Sequence, residues 1–217
     1  MVNSIKDIPD YIKGKNSDEI LQSAVDYEYG TEKTRKNQRI ANELYLRAYK
    51  LGNKAATIFL GMIFEQGKDV AIDYEKAFKY YQEGVDNNIQ ECYARLGILY
   101  LEGRGTQQNY KKALEYFYKG RELGDVYYCC LWLGYMYENG LGVKQNNLLA
   151  LKLYQASAFK GNPFAQFQVG YMYEFGICTK VDLVQAKYYY KLALNSVDTK
   201  EKALERLKEI ETQLKEC

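Results

Sequence analysis

Apolar residues recur along this chain with helical spacing, in short blocks that repeat at a fixed interval. An alanine returns every 36 or 37 residues, at Ala41, Ala77, Ala113, Ala150 and Ala186. An aromatic residue stands four positions after each alanine, and a small residue stands seven positions after it. Positions i, i+4 and i+7 share one face of an α-helix, so the pattern predicts five helices that each bury one side.

A second marker keeps the same period. The pattern aromatic-x-x-glycine occurs five times, and its glycines are spaced by 37, 36, 37 and 36 residues, at Gly30, Gly67, Gly103, Gly140 and Gly176. A glycine after an apolar helical stretch typically ends the helix, and the pattern lies in loops rather than after strands, which argues against phosphate binding. The sequence therefore predicts five units, each with a helix A, a glycine-containing loop, a helix B and a short turn.

Helix B has predicted boundaries of its own. An asparagine or aspartate precedes each marker alanine by four residues and is expected to cap the helix, at Asn37, Asp73, Asn109, Asn146 and Asp182. Residues that tolerate a left-handed backbone follow the helix in four units, at Gly52, Asn88, Gly124 and Gly161, whereas the fifth has Val197. The boundaries of helix B should therefore match from unit to unit, except at the last exit.

Helix A carries a glycine in its interior in four units, at Gly61, Gly97, Gly134 and Gly170. A glycine inside a helix costs about 1 kcal/mol relative to alanine. We expect close packing of helix B to offset this cost, with its small residues Gly84, Gly120 and Ser157 facing the glycines.

The motifs resemble the Sel1-like repeat, a relative of the tetratricopeptide repeat. The best copy runs from Leu96-Gly97 through Tyr100, Gly103 and Ala113 to Leu123-Gly124-Asp125. The resemblance implies an all-α fold, a right-handed αα superhelical solenoid of five repeats with a C-terminal capping helix. The predicted segments are an N-terminal cap at 1–18, repeats at about 19–54, 55–90, 91–126, 127–163 and 164–198, and a capping helix at 199–217 with Ala203, Leu204, Leu207, Ile210 and Leu214 on its apolar side.

Charge and hydropathy narrow the choice of partner. With 47% hydrophobic residues the chain can bury a core, and its net charge of +2 is too small to favour nucleic acid. We find no apolar run of the roughly 20 residues that span a bilayer, and no apolar run at the N-terminus typical of a signal peptide. We therefore expect an intracellular, cytoplasmic protein without direct membrane insertion, and leave export by an unusual route open.

Enzyme chemistry is restricted by composition. The chain has no histidine, which removes the common nucleophile-histidine pairs and histidine metal sites. Its cysteines are odd in number and irregularly spaced, so Cys92 and Cys129 are interpreted as buried thiols and Cys178 as an exposed one. We predict no catalytic residue, no cofactor and no metal.

The outward face of helix A is the candidate site. In solenoids of this kind the A helices line the concave surface, where a peptide or helix can bind. Each residue on this face could also pack between repeats, and the sequence leaves that choice open. The candidate partner-binding residues are Phe59, Met62, Glu91, Arg95, Ile98, Tyr128, Trp132, Tyr135, Asn139, Phe164, Gln168, Tyr171 and Phe175.

The function predicted from these features is a scaffold or adaptor that binds a protein or peptide partner, which is also the role that the resemblance implies. The alternative, implied by the cysteine-rich Sel1-like proteins, is a carboxylate- or cysteine-dependent hydrolase or a small-molecule-binding protein, for which Glu91 and Glu102 are the available carboxylates. RNA binding by stacked aromatics is a weaker third hypothesis. The oligomeric state is left open.

Overall fold

The computed structural model describes residue 12 and residues 14–216. These residues form α-helices and no β-strand. The helices alternate between A and B along the chain as predicted, with one further helix at the end. They are α1 (Ser17–Tyr29), α2 (Gln38–Lys50), α3 (Ala56–Gln66), α4 (Tyr74–Asp86), α5 (Gln90–Glu102), α6 (Tyr110–Glu122), α7 (Val126–Asn139), α8 (Asn147–Phe159), α9 (Pro163–Glu174), α10 (Leu183–Ala193) and α11 (Val197–Glu216).

The chain divides into two compact units. The first ends at Gln108 and contains α1 to α5, and the second begins at Asn109 and contains α6 to α11. In the first unit α1 pairs with α2 and α3 with α4, and in the second α7 pairs with α8 and α9 with α10. The predicted N-terminal cap lies mostly outside the described residues, but Ile12 is fully buried in the core formed by α1, α2 and α3.

The predicted helix B boundaries are confirmed. Each capping side chain accepts a hydrogen bond from the backbone N–H three residues later, at distances of 2.9 to 3.1 Å. Gly52, Asn88, Gly124 and Gly161 all have positive φ, as their exit positions require. At the fifth exit, Val197 instead begins α11, two residues before the predicted start of that helix.

The prediction for the helix A glycines is wrong about what faces them. A Cβ on Gly61 would lie 2.2 Å from the ring of Tyr81, and one on Gly134 would lie 2.7 Å from the ring of Tyr154. The aromatic side chain of helix B therefore occupies the space, not the small residue. Gly84 has another role, because a Cβ there would lie 2.2 Å from Sγ of Cys92 at the start of α5.

The same aromatic residues make a polar contact that the sequence analysis missed, buried in two repeats and part-buried in two. In four repeats the tyrosine hydroxyl donates a hydrogen bond of 2.6 to 2.7 Å to a glutamate two residues before the loop glycine; the pairs are Tyr45–Glu28, Tyr81–Glu65, Tyr154–Glu138 and Tyr190–Glu174. A signal was present, since these glutamates belong to the pattern aromatic-Glu-x-Gly. The third repeat has Leu101 and Phe117 at the two positions, so both polar groups are absent there together.

Each paired glutamate also receives a second side-chain donor. Arg95 of α5 lies 3.4 Å from Glu65, Gln168 of α9 lies 3.4 Å from Glu138, and Nε of Arg206 in α11 lies 3.0 Å from Glu174. These three donors come from the next helix along the A series, while Glu28 bonds Lys68 at 2.6 Å. Because a buried carboxylate is costly unless it is hydrogen-bonded and paired, these contacts hold consecutive repeats in register.

The terminal helix α11 packs against α10 and α9. Ala203, Leu207 and Ile210 are buried in a cluster with Tyr190. The predicted apolar side is wrong for Leu204 and Leu214, which are 41% and 46% exposed. Leu214 continues the buried stripe by spacing, but α11 has 20 residues and extends beyond its shorter neighbours.

Replacing one member of a tyrosine–glutamate pair should cost more than replacing both. We expect Tyr154→Phe to lower the free energy of unfolding by about 1–3 kcal/mol, because Glu138 loses a donor while it stays enclosed. The double variant Tyr154→Phe/Glu138→Leu copies the third repeat and should be more stable than the sum of the two single changes predicts. Urea unfolding of the wild type and the three variants measures this coupling; strictly additive losses would contradict it.

The protein should also lose stability at alkaline pH. Burial raises the pKa of Cys92 from 9.0 to about 12, and burial together with the adjacent glutamates raises the pKa values of Tyr45, Tyr81, Tyr154 and Tyr190. The unfolded chain releases these protons first, so the stabilisation is complete below about pH 9 and is lost as pH rises. Each group should add a slope of about 1.4 kcal/mol per pH unit above its unfolded pKa.

Urea unfolding between pH 8 and pH 11.5 tests this dependence. The variant Cys92→Ala serves as the control and should lose only its own share of the slope that begins near pH 9, because burial also raises the pKa values of Cys129 and Cys130. A free energy of unfolding that stays constant across the range would show that these groups titrate normally in the folded state.

Candidate partner-binding surface

All thirteen candidate residues lie on α3, α5, α7 and α9 or at the end of α9, and each is exposed or half-buried. The exposed ones are Glu91, Tyr128, Tyr135, Asn139, Phe164, Tyr171 and Phe175. The half-buried ones are Phe59, Met62, Arg95, Ile98, Trp132 and Gln168. The two units differ in how these side chains are used.

In the first unit several candidate residues pack against neighbouring helices. The ring of Phe59 stacks on that of Tyr45, with centroids 4.5 Å apart and planes 9° apart. Arg95 bonds Glu65, as described above. Glu91 is exposed, while Met62 and Ile98 are half-buried. This part of the predicted groove therefore offers little exposed aromatic surface.

In the second unit the candidate residues of α7 and α9 form what we call the aromatic patch. It consists of Tyr128, Trp132, Tyr135, Phe164, Tyr171 and Phe175. Five of its members are 37% to 49% exposed, and Trp132 is half-buried. The hydrogen bond between Gln168 of α9 and Glu138 of α7 joins the two helices that carry the patch.

Contacts among the rings hold the patch in place. Trp132 stacks over Phe117 of α6 at 6.4 Å and meets Tyr135 edge-on at 5.8 Å. Tyr171 and Phe175 lie 4.6 Å apart, and the guanidinium of Arg206 lies 5.0 Å from the centre of the Phe175 ring. Side chains ordered in this way lose less conformational entropy on binding than mobile ones do.

The helices of the patch hold very little charge. Between them, α7 and α9 contain two charged residues, Glu138 and Glu174. Both carboxylates accept hydrogen bonds from tyrosine hydroxyls, and Glu174 also pairs with Arg206. The remaining polar candidates, Asn139 and Gln168, are neutral amides. The patch is therefore aromatic and uncharged at its surface.

The features expected of a hydrolase do not come together at a site. Glu91 and Glu102 are both exposed, and Glu102 pairs with Arg104 at 3.0 Å. Cys92 and Cys129 are buried as predicted, and Cys130 is buried too. A thiol such as Cys92, with a pKa of about 12, stays protonated at neutral pH. Cys178 is exposed, and Cys217 lies outside the described residues. Across residue 12 and residues 14–216 there is no cluster of three or more side chains suited to a metal ion.

A family model described as the Sel1 repeat matches the chain five times in succession. The matches cover residues 24–53, 54–88, 90–125, 128–162 and 163–196. The chain belongs to the Sel1 repeat family. Members of this family typically act as protein-interaction scaffolds.

Solved structures agree with this assignment. A Sel1 repeat protein from Oxalobacter formigenes is 30% identical, with a TM-score of 0.76, over 88% of this chain and 75% of that one. Two others share the fold. A putative Sel1 repeat protein from Klebsiella pneumoniae is 14% identical, with a TM-score of 0.57, over 91% of this chain and 100% of that one. The immunity protein PA5088 from Pseudomonas aeruginosa is 19% identical, with a TM-score of 0.58, over 92% of this chain and 81% of that one.

No curated protein sequence matches this Sel1 repeat chain. Within the part of the chain that the structure describes, no helix has both the length and the apolar character needed to cross a bilayer.

Exposure separates the patch residues into those that affect folding and those that do not. We expect Trp132→Ala to lower the free energy of unfolding by about 2–3 kcal/mol, because it uncovers Phe117. The patch variant, Tyr135→Ser/Tyr171→Ser, should lower it less, by about 1 kcal/mol, because these rings are 40% and 37% exposed and cover no fully buried side chain like Phe117. Urea unfolding checks the two values; a loss from the patch variant as large as that from Trp132→Ala would show that its rings are part of the core.

Proposed function

We propose that this protein is a non-catalytic interaction scaffold that binds a peptide or helix of a partner protein on the outer face of its A helices. The aromatic patch of the second unit is the main contact, and exposed Asn139 of α7 belongs to the same helix face. The single observation that carries the proposal is the concentration of exposed aromatic rings on α7 and α9. Aromatic side chains dominate the binding energy of protein interfaces.

Other exposed apolar residues occur in the second unit, but their surroundings differ. Phe159 is 88% exposed at the end of α8, and Tyr188 is 56% exposed on α10, a helix that also carries Lys187 and Lys191. Isolated exposed apolar residues are normal on protein surfaces, whereas a contiguous apolar patch indicates an interaction site. The rings of the patch are not isolated, because Trp132 meets Tyr135 on α7 and Tyr171 meets Phe175 on α9.

The choice of protein over nucleic acid rests on charge. A nucleic-acid surface requires clustered lysine or arginine side chains, because binding depends on neutralised phosphates. The patch supplies aromatic rings without such a cluster, and the whole chain has a net charge of only +2. We infer an intracellular location from the free thiols of Cys92, Cys129 and Cys130, which suit a reducing compartment.

Affinity capture with matched variants tests the proposal. Wild-type protein, the patch variant and a control variant, Phe159→Ser/Tyr188→Ser, are immobilised and exposed to the same native lysate. We expect at least one protein to be retained by the wild type and the control and lost from the patch variant, because only that variant lacks the aromatic contacts. Quantitative mass spectrometry of the eluates measures the loss. Identical sets of retained proteins on all three would contradict binding through the patch.

A further inference from the structure

We infer that the aromatic patch selects a segment of a partner protein that is apolar and carries no charged residue where it touches α7 and α9. This inference rests on the proposed function and adds to it the chemical class of the bound segment. It follows from how the structure disposes of the charges on these two helices.

The two carboxylates next to the patch are already occupied. Tyr154 donates to Glu138 at 2.6 Å, and Gln168 approaches the same oxygen at 3.4 Å. Tyr190 donates to Glu174 at 2.7 Å, and Arg206 pairs with that carboxylate from α11. Glu174 is 5% exposed, so it presents almost no surface to a ligand. Glu138 is half-buried, and a basic residue of a partner would have to compete with Tyr154 and Gln168 for it.

Arg206, a basic group at the edge of the patch, is already paired as well. Arg206 bonds both Glu174 and Glu209, and its guanidinium lies against the ring of Phe175. An acidic residue of a partner would have to compete with two carboxylates for this side chain. The patch therefore offers no ready counter-charge to a charged segment of either sign.

A charged group that docks on such a surface loses its water and gains little in return. The desolvation of an ion is unfavourable unless a partner charge compensates it. Apolar side chains are stabilised on the same rings, because their surface is removed from water. The neutral amides of Asn139 and Gln168 are compatible with backbone polar groups of a ligand and add no charge preference. The surface thus discriminates against charge rather than in favour of one sign.

The outer face of α5 shows that this property is local. Glu91, Arg95 and Glu102 all belong to that helix, and Glu91 is exposed. The repeat fold therefore does not by itself require an uncharged A helix. The absence of free charge on α7 and α9 is a property of those two sequences.

Selection from a random library of 12-residue peptides displayed on phage tests the inference. The library is selected in parallel on the wild type, the patch variant and the control variant. We expect sequences enriched at least tenfold on the wild type and the control over the patch variant. Within their shared apolar core, Asp, Glu, Lys and Arg should fall to less than a third of their frequency in the unselected library.

The outcomes separate the two proposals. Patch-dependent peptides with charged residues in the shared core would overturn the inference and leave the scaffold function standing. If no peptide depends on the patch, both proposals fail. A self-association seen in sedimentation and abolished in the patch variant would assign the patch to a second copy of this chain and overturn the inference.

Salt dependence gives a second readout with one selected peptide. Trp132 is the only tryptophan, so its fluorescence reports binding at the patch directly. The dissociation constant of a synthetic copy of the most enriched peptide should change by less than twofold between 0.05 and 0.5 M NaCl, because no ion pair is screened. Binding that weakens tenfold or more over this range would show that charge contributes and would overturn the inference.

Discussion

Both units depend on one contact between helix A and helix B. A tyrosine ring of helix B lies against a glycine of helix A, and its hydroxyl reaches a glutamate near the end of helix A. The ring fills the space that a glycine leaves, as Tyr81 does at Gly61 and Tyr154 does at Gly134. Its hydroxyl then donates a hydrogen bond to the glutamate. Apolar packing brings the helices together, and the hydrogen bond fixes where along helix A the ring lies.

This arrangement gives the two sides of each A helix different chemical character. The side that faces helix B holds the glycine, and the glutamate is drawn into hydrogen bonds with helix B and with the next repeat. In α7 and α9 the other side is then left with rings and amides alone. The aromatic patch is thus uncharged because the glutamates of these helices are hydrogen-bonded toward helix B, and not only because of which residues are exposed. The outer face of α5 is not uncharged in this way, because Glu91 is exposed there.

The sequence predicted the elements that depend on local chemistry. Helix caps such as Asn146 and exits such as Gly161 act within a few residues, so a repeated pattern is enough to place them. The tyrosine–glutamate pairs were missed because a glutamate in an apolar helix is normally taken as a solvent-facing residue. The partner of Gly134 was misassigned because spacing gives the face of a helix but not the depth to which a ring reaches. For the same reason the helical period could not separate Phe59, which packs on Tyr45, from exposed Tyr135.

The third repeat carries Leu101 and Phe117 where the others carry glutamate and tyrosine, and this constrains how such a repeat can evolve. Loss of the hydroxyl first would leave a carboxylate short of a donor, whereas loss of the carboxylate first leaves only a neutral hydroxyl, which costs less to leave unpaired than a charged group does. A lineage that loses the carboxylate first therefore passes through the more stable intermediate. Repeats with tyrosine and an aliphatic residue at these two places should therefore outnumber those with phenylalanine and glutamate among natural sequences.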